Sequence, residues 1–169
     1  TKAPQDRFHA GGDLSYGSFD TWRGSFDIGG PAAGGLGVRL IGVYQAGDSF
    51  RDSNRPDRLL LAPSIAWSPS DAVRFLYQLE YNLVHFTHDR GLVAVKGDGK
   101  ALPRSRFLGE PDDGQIEQRK SQHQGTLTID LADGIALEAG IQYRDGKMTG
   151  QSTHNSALVG TRLRRQLRV

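Results

Sequence analysis

The residues best equipped for chemistry in this chain gather in one polar stretch, from His85 to about Lys120. It holds Phe86, His88, Arg90 and Arg106. Aromatic rings and guanidinium groups recognise bulky, polar, often anionic molecules through cation–π contacts and forked hydrogen bonds. Long loops are also where binding residues concentrate. Other chemistries find less support. His85 and His88 lack a third ligand at metal spacing, and Glu110, Asp112 and Asp113 lack the calcium-loop pattern. No protein-bound metal and no cofactor are therefore expected. Ser, His and Asp all occur, yet nothing in their spacing assembles a trio, so no hydrolase is expected. For Arg104 and Arg106 the reading favours a structural role, pairing with Glu110, Asp112 or Asp113 to order the loop.

Composition narrows the classes further. The chain has 169 residues, no Cys and a formal charge of +2, so disulfides, thiolate nucleophiles and Cys-ligated metals are out. The basic cluster "RLRRQLRV" near the end lacks interleaved aromatics and a recognised motif, and no nucleic-acid partner is expected. No run approaches the roughly 18 apolar residues of a spanning helix. The first residues, "TKAPQDRFHA", carry no signal-peptide pattern.

The elements that must position the polar stretch announce themselves by a period of two, the mark of β-strands. Apolar residues or Gly hold the even positions from Phe8 to Tyr16, and Trp22, Phe26 and Ile28 continue them beyond "YGSF". Val38, Leu40 and Tyr44 alternate with Gly37, Arg39 and Gln45, although Ile41 and Val43 blur the polar side. Leu59, Leu61, Ile65 and Trp67 follow, with Pro63 marking either an edge or a bulge. The cleanest strand has Val73, Phe75, Tyr77, Leu79, Tyr81 and Leu83 on one face. Leu127, Ile129 and Leu131 form a sixth strand, and Ile135, Leu137, Ala139, Ile141 and Tyr143 a seventh. An eighth is expected to begin between Leu158 and Val169. No segment sustains a period of 3.6, so the fold class is all-β, an antiparallel meander of seven to eight amphipathic strands.

Alternate connections differ in kind. "GGPAAGG", "SPSD" and "LADG" are compact turns. After the brief "YGSF", the others are "AGDSFRDSNRPDR", the stretch from His85 to about Lys120, and "DGKMTGQSTHNSALVG". Short turns at one end of a sheet and long polar loops at the other characterise a transmembrane barrel. A soluble barrel or sandwich would bury the same apolar face as its core. Mid-strand charges (Arg23, Asp27, Arg39, Arg74, Glu80, Glu138) and aromatics near strand ends (Tyr16, Phe19, Trp22, Trp67, Tyr143) favour the membrane reading, with a polar lumen and interfacial girdles.

Five stretches then resemble one family in collinear order. "TKAPQDRF" resembles the "TKRP" with which the plug of TonB-dependent siderophore receptors ends, and "YGSFDTWRGSFDIGGP" resembles their first barrel hairpin. "VRLIGVYQAGDSFRD", "LLLAPSIAWSPSD" and "LPRSRFLGEPDD" are similar to the strands and loop that follow. The resemblance implies that residues 1–6 are the end of a plug domain and 7–169 the first strands of a barrel of about twenty-two. It implies an outer-membrane receptor that takes up ferric siderophores, with the TonB complex as partner through a plug and TonB box, and with outer-membrane lipid around the barrel. In hydroxamate-type relatives, aromatics early in the third loop touch ligand. The matching positions here read Arg90, Gly91, Leu92 and Val93, and Phe86, His88, Arg90 and Arg106 remain as candidates.

Both ends of the chain read as cut. A sheet of this size taken from a larger barrel has two unpaired edges, which the bilayer does not tolerate, so a fragment prone to aggregation or dependent on detergent is expected. The alternative is a small eight-stranded barrel acting as a binding module or adhesin.

Overall fold

The computed structural model describes residues 2–95, 97–160 and 162–168. Seven strands follow one another as an antiparallel meander: β1 (His9–Gly17), β2 (Thr21–Pro31), β3 (Leu36–Ala46), β4 (Asp57–Ser70), β5 (Val73–Phe86), β6 (Ile116–Ala132) and β7 (Ile135–Thr149). A separate hairpin pairs β8 (Ser152–Val159) with β9 (Arg162–Arg168). No helix is long and apolar enough to cross a membrane, which has no bearing on strands.

Residues directly opposite in an antiparallel pair lie on the same face, so one apolar face can be traced across the sheet. Phe26 and Ile28 lie opposite Gly42 and Leu40. Tyr44, Val38 and Leu36 lie opposite Leu59, Ile65 and Trp67. That row continues through Leu83, Tyr77 and Phe75 of β5 to Leu127 of β6 and Ala139 of β7. Nothing in the described chain covers this face. Leu14 is 80% exposed and Ile141 76%, while Ala62 and Ile116 are the buried hydrophobic residues. A soluble sandwich would lay a second layer over such a face; here it is open, as the outside of a membrane barrel must be.

The apolar row also explains where the strands stop being legible. On β7 it runs from Ile135 to Tyr143, and Asp145 and Lys147 continue the same side beyond it. The opposite residues of β6 are His123, Ser121 and Arg119. With 17 and 15 residues, β6 and β7 outrun the roughly nine to eleven that cross the hydrocarbon. Their upper halves stand clear of it, where no apolar alternation is required.

That accounts for three corrections. The sixth strand starts at Ile116 rather than Leu127, and the long connection shrinks to residues 87–115. "DGKMTG" is not loop: Asp145 and Gly146 pair with Ser121 and Lys120 inside β7. The expected eighth strand is the hairpin β8–β9, which pairs with itself instead of extending the sheet; Thr161 and Val169 of that expectation lie outside the described residues. The hairpin engages the long connection, with Thr153 Oγ1 donating to Asp113 and Arg165 meeting Glu110 at 3.1 Å and the Gly109 carbonyl at 3.0 Å.

Pro63 is accommodated without a bulge. It faces Leu40 of β3, and the β4–β5 ladder resumes in register from Leu61–Tyr81 to Ser64–Gln78 across it. A missing N–H removes a bond without shifting the pairing. The irregularity of β4 falls instead between Trp67 and Ser70. The three compact turns and seven consecutive strands are as the alternation predicts.

Candidate functional site

Two loops at the same end of the sheet, residues 47–56 and 87–115, are stitched together by several bonds, three of them from Arg51. Arg51 places Nε 2.5 Å from an Asp89 carboxylate oxygen and donates Nη1 to the backbone carbonyls of Arg104 and Arg106. The guanidinium is 11% exposed and Asp89 19%, so the pair is worth more than a surface ion pair. The Asp52 N–H donates to the Ser105 carbonyl at 2.8 Å, and Thr87 Oγ1 to the Ser53 carbonyl at 3.1 Å. Between the loops opens a cleft of about 500 Å3 lined by Ser53, Arg55, Thr87, Pro111, Gly114 and Gln115.

The four candidates of the sequence fall as follows. Phe86 ends β5, half-buried and opposite Ile116. His88 is half-buried and Arg90 exposed, on either side of Asp89, the residue Arg51 grips. Arg106 is exposed; its N–H donates to the Pro103 carbonyl at 3.0 Å and its carbonyl accepts from Arg51. One guanidinium thus ties the backbone segments carrying Arg90 and Arg106 to the same point. Among the described residues, Phe86 and His88 join no polar cluster with them.

The expected loop-ordering pairs do not form. Among the described residues Arg104 and Arg106 make no ion pair with Glu110, Asp112 or Asp113; Glu110 and Asp113 go to Arg165 and Thr153, and Arg104 lies over the Phe50 ring at 5.5 Å. The ordering is done by Arg51, which sequence reasoning passed over because its partner stands 38 positions away. The two histidines also part company. His85 bridges Asp57 at 3.0 Å and Glu117 at 3.3 Å across three strands. Among the described residues no group of three His, Asp or Glu side chains is arranged to hold a metal ion.

At the short-turn end a second arrangement lies on the polar face. Arg39, with its side chain 6% exposed, forks onto Asp27 at 2.8 and 2.7 Å and donates Nη1 to the Ala3 carbonyl at 2.8 Å. His9 Nε2 reaches the same carboxylate at 3.0 Å and Lys2 Nζ at 3.4 Å. Ser64, 1% exposed, donates to the Lys2 carbonyl at 2.9 Å. Gly37 leaves room for Pro4, whose Cβ would stand 3.0 Å from a Cβ added there. The first residues are therefore docked on the polar wall formed by β2, β3 and β4.

Comparison with known proteins bears on both ends. No family model matches the chain. It is 36% identical over 172 residues to the metal-pseudopaline receptor CntO of Pseudomonas aeruginosa, in strains UCBPP-PA14 and PAO1 alike, which covers 99% of this chain and 24% of the receptor. The chain thus spans about a quarter of the length of these curated relatives. Among solved structures, the pyoverdine outer-membrane receptor FpvA of P. aeruginosa superposes with a TM-score of 0.80 at 18% identity, covering 92% of this chain and 24% of that one. The ferric-catecholate import receptor Fiu of Escherichia coli K12 gives 0.79 at 19%, covering 93% and 24%. The siderophore receptor PiuA of Acinetobacter baumannii gives 0.77 at 17%, covering 92% and 23%. At these identities the structures speak for the fold.

Proposed function

This chain is part of the barrel of a TonB-dependent siderophore receptor of the outer membrane, and from that premise we propose that it serves the uptake of a chelated metal ion. Its relatives are receptors rather than enzymes. The observation that carries the reading is the division of one sheet into two faces: an uncovered apolar side for lipid and a polar side that already holds a docked segment at Asp27, Arg39 and Ser64. A barrel with a filled lumen has this wall. Residues 2–6 are then the end of a plug, entering the barrel at residue 7, and the loops 47–56 and 87–115 stand at the outer mouth.

There the chelate meets the protein. Phe86, His88, Arg90 and Arg106 are the contacts we assign within the third outer loop. Recognition by aromatic and guanidinium groups suits a large polar complex whose metal arrives already coordinated, so the protein needs no ligand set of its own. Energy for passage comes through the TonB complex, acting on the plug. A ferric siderophore is the expected cargo, and the relative named for metal-pseudopaline makes other chelated metals a second case within the same reading.

The test is uptake by cells carrying the full-length receptor. Radiolabelled ferric chelates, or chelates of another metal ion, should accumulate saturably, and should fail to do so when the TonB complex is removed or the proton gradient collapsed. Uptake unchanged by either treatment would remove the proposal. Deleting residues 87–115 without altering which chelates are taken would remove the loop assignment.

A further inference from the structure

We propose that His85 is a pH-sensitive clasp joining the roots of the two outer loops. The clasp rests on the receptor reading above for its place at the outer mouth, and concerns the loop stems whatever the cargo. Asp57 opens β4 directly after loop 47–56. His85 stands next to last in β5, just before loop 87–115, and Glu117 follows that loop as the second residue of β6. The register sets Asp57 opposite His85 and His85 opposite Glu117. All three share the face of Leu59 and Leu83 but lie beyond these last apolar residues, outside the hydrocarbon.

The imidazole turns one nitrogen to each carboxylate, Nδ1 3.0 Å from Asp57 and Nε2 3.3 Å from Glu117. A neutral imidazole has one N–H and one lone pair, so only the imidazolium can donate to both. Each side chain is less than a third exposed, which limits screening. Asp57 first, with Glu117 adding to it and burial opposing, holds the imidazole above its ordinary value. A group raised in this way stabilises the folded form fully below its ordinary value, about 6.5, and the contribution fades as pH rises through the raised one. The clasp is therefore closed in acid and opens toward alkaline pH.

Loss of the proton does not release both carboxylates alike. Glu117 has a second partner, Arg119, with Nε 2.8 Å from Oε1 and Nη2 donating to Oε2 at 3.1 Å. Asp57 has no other side-chain partner among the described residues. Arg58 of β4 and Lys120 of β6 alternate to the opposite face, and Lys147 lies one strand further, opposite Arg119. The neutral imidazole keeps its N–H on Asp57 and turns a lone pair to Glu117, which withdraws to Arg119. The joint that opens is the one between β5 and β6, at the two ends of loop 87–115.

Amide exchange in the full-length receptor in detergent, with no chelate present and rates corrected for the intrinsic effect of pH, tests this from about pH 5.5 to about pH 9. Amides at 85–90 and 113–118 should stay protected at the acid end and exchange at least about tenfold faster at the alkaline end, with β2 and β3 unchanged as the reference. His85→Asn should show the fast rate at every pH. Arg119→Gln leaves Glu117 to His85 alone and should move the midpoint to higher pH, whereas Glu117→Gln should move it lower. Stems insensitive to pH in the parent, or a response of the same size in His85→Asn, overturn the proposal, as does a midpoint unmoved in both other variants. No chelate takes part, so none of these results bears on uptake, which tests the receptor reading separately.

Discussion

Arg39 holds Asp27 through two parallel hydrogen bonds, at 2.8 and 2.7 Å, and gives its third nitrogen to the Ala3 carbonyl. Two neighbouring strands thereby grip a segment 36 positions upstream. Breaking a buried pair by removing one partner costs about 3–5 kcal/mol. Arg39→Leu in the full-length receptor should therefore release residues 2–7, seen as new cleavage there under limited proteolysis of the folded protein. Arg39→Lys, which keeps charge but loses the fork, should give partial cleavage. Unchanged protection in Arg39→Leu would show that the segment is held by something else.

The same release should follow from bulk alone. A Cβ at Gly37 would stand 3.0 Å from the Pro4 Cβ, a contact relieved by a shift of a few tenths of an ångström. Gly37→Ala should leave the proteolytic pattern as it is, whereas Gly37→Leu should reproduce that of Arg39→Leu with no charge altered. Full protection in Gly37→Leu would argue against close docking of Pro4.

The two faces of β7 should answer differently to the same residue. Ala139 lies midway along the apolar row from Ile135 to Tyr143, and Glu138 points to the opposite face. An arginine on the lipid face near the midplane costs about 2–4 kcal/mol. Denaturant unfolding of the full-length receptor in vesicles should show that loss for Ala139→Arg and little change for Glu138→Arg. Equal losses would contradict the assignment of faces.

Arg51 should control the order of the third outer loop. Arg51→Gln leaves Asp89 without its ion pair and removes a donor from the carbonyls of Arg104 and Arg106. Hydrogen bonds to charged groups contribute about 1.5–3 kcal/mol each, so amide exchange within 87–107 should quicken at least tenfold while β2–β5 keep their protection. Parental exchange rates in the loop would show that Arg51 does not order it.

How much of this could be read from the chain follows the solvent on each side. From Val73 to Leu83 every other residue faces the apolar layer, and β5 was legible along that length. From Glu117 to Gln124 β6 carries polar residues on both faces, so nothing marks the strand, and Asp145–Gly146 imitates a turn inside β7. The hairpin β8–β9 was misplaced because its contacts with Gly109, Glu110 and Asp113 are tertiary. At the loops the chemistry was legible as residue types: arginines and few aromatics. Which arginine is engaged and which is free depends on Asp89 meeting Arg51 rather than Arg90 beside it, a choice made by the approach of two loops and invisible to spacing.

The central claim is that one sheet separates lipid from a filled polar lumen. Spin labels placed singly at positions 23–28 of β2, in the full-length receptor reconstituted in lipid vesicles, test it most directly. Positions 24, 26 and 28 should collide with oxygen dissolved in the bilayer, and 23, 25 and 27 should be shielded from it. Collision rates without a period of two, or with the odd positions facing lipid, would contradict the account.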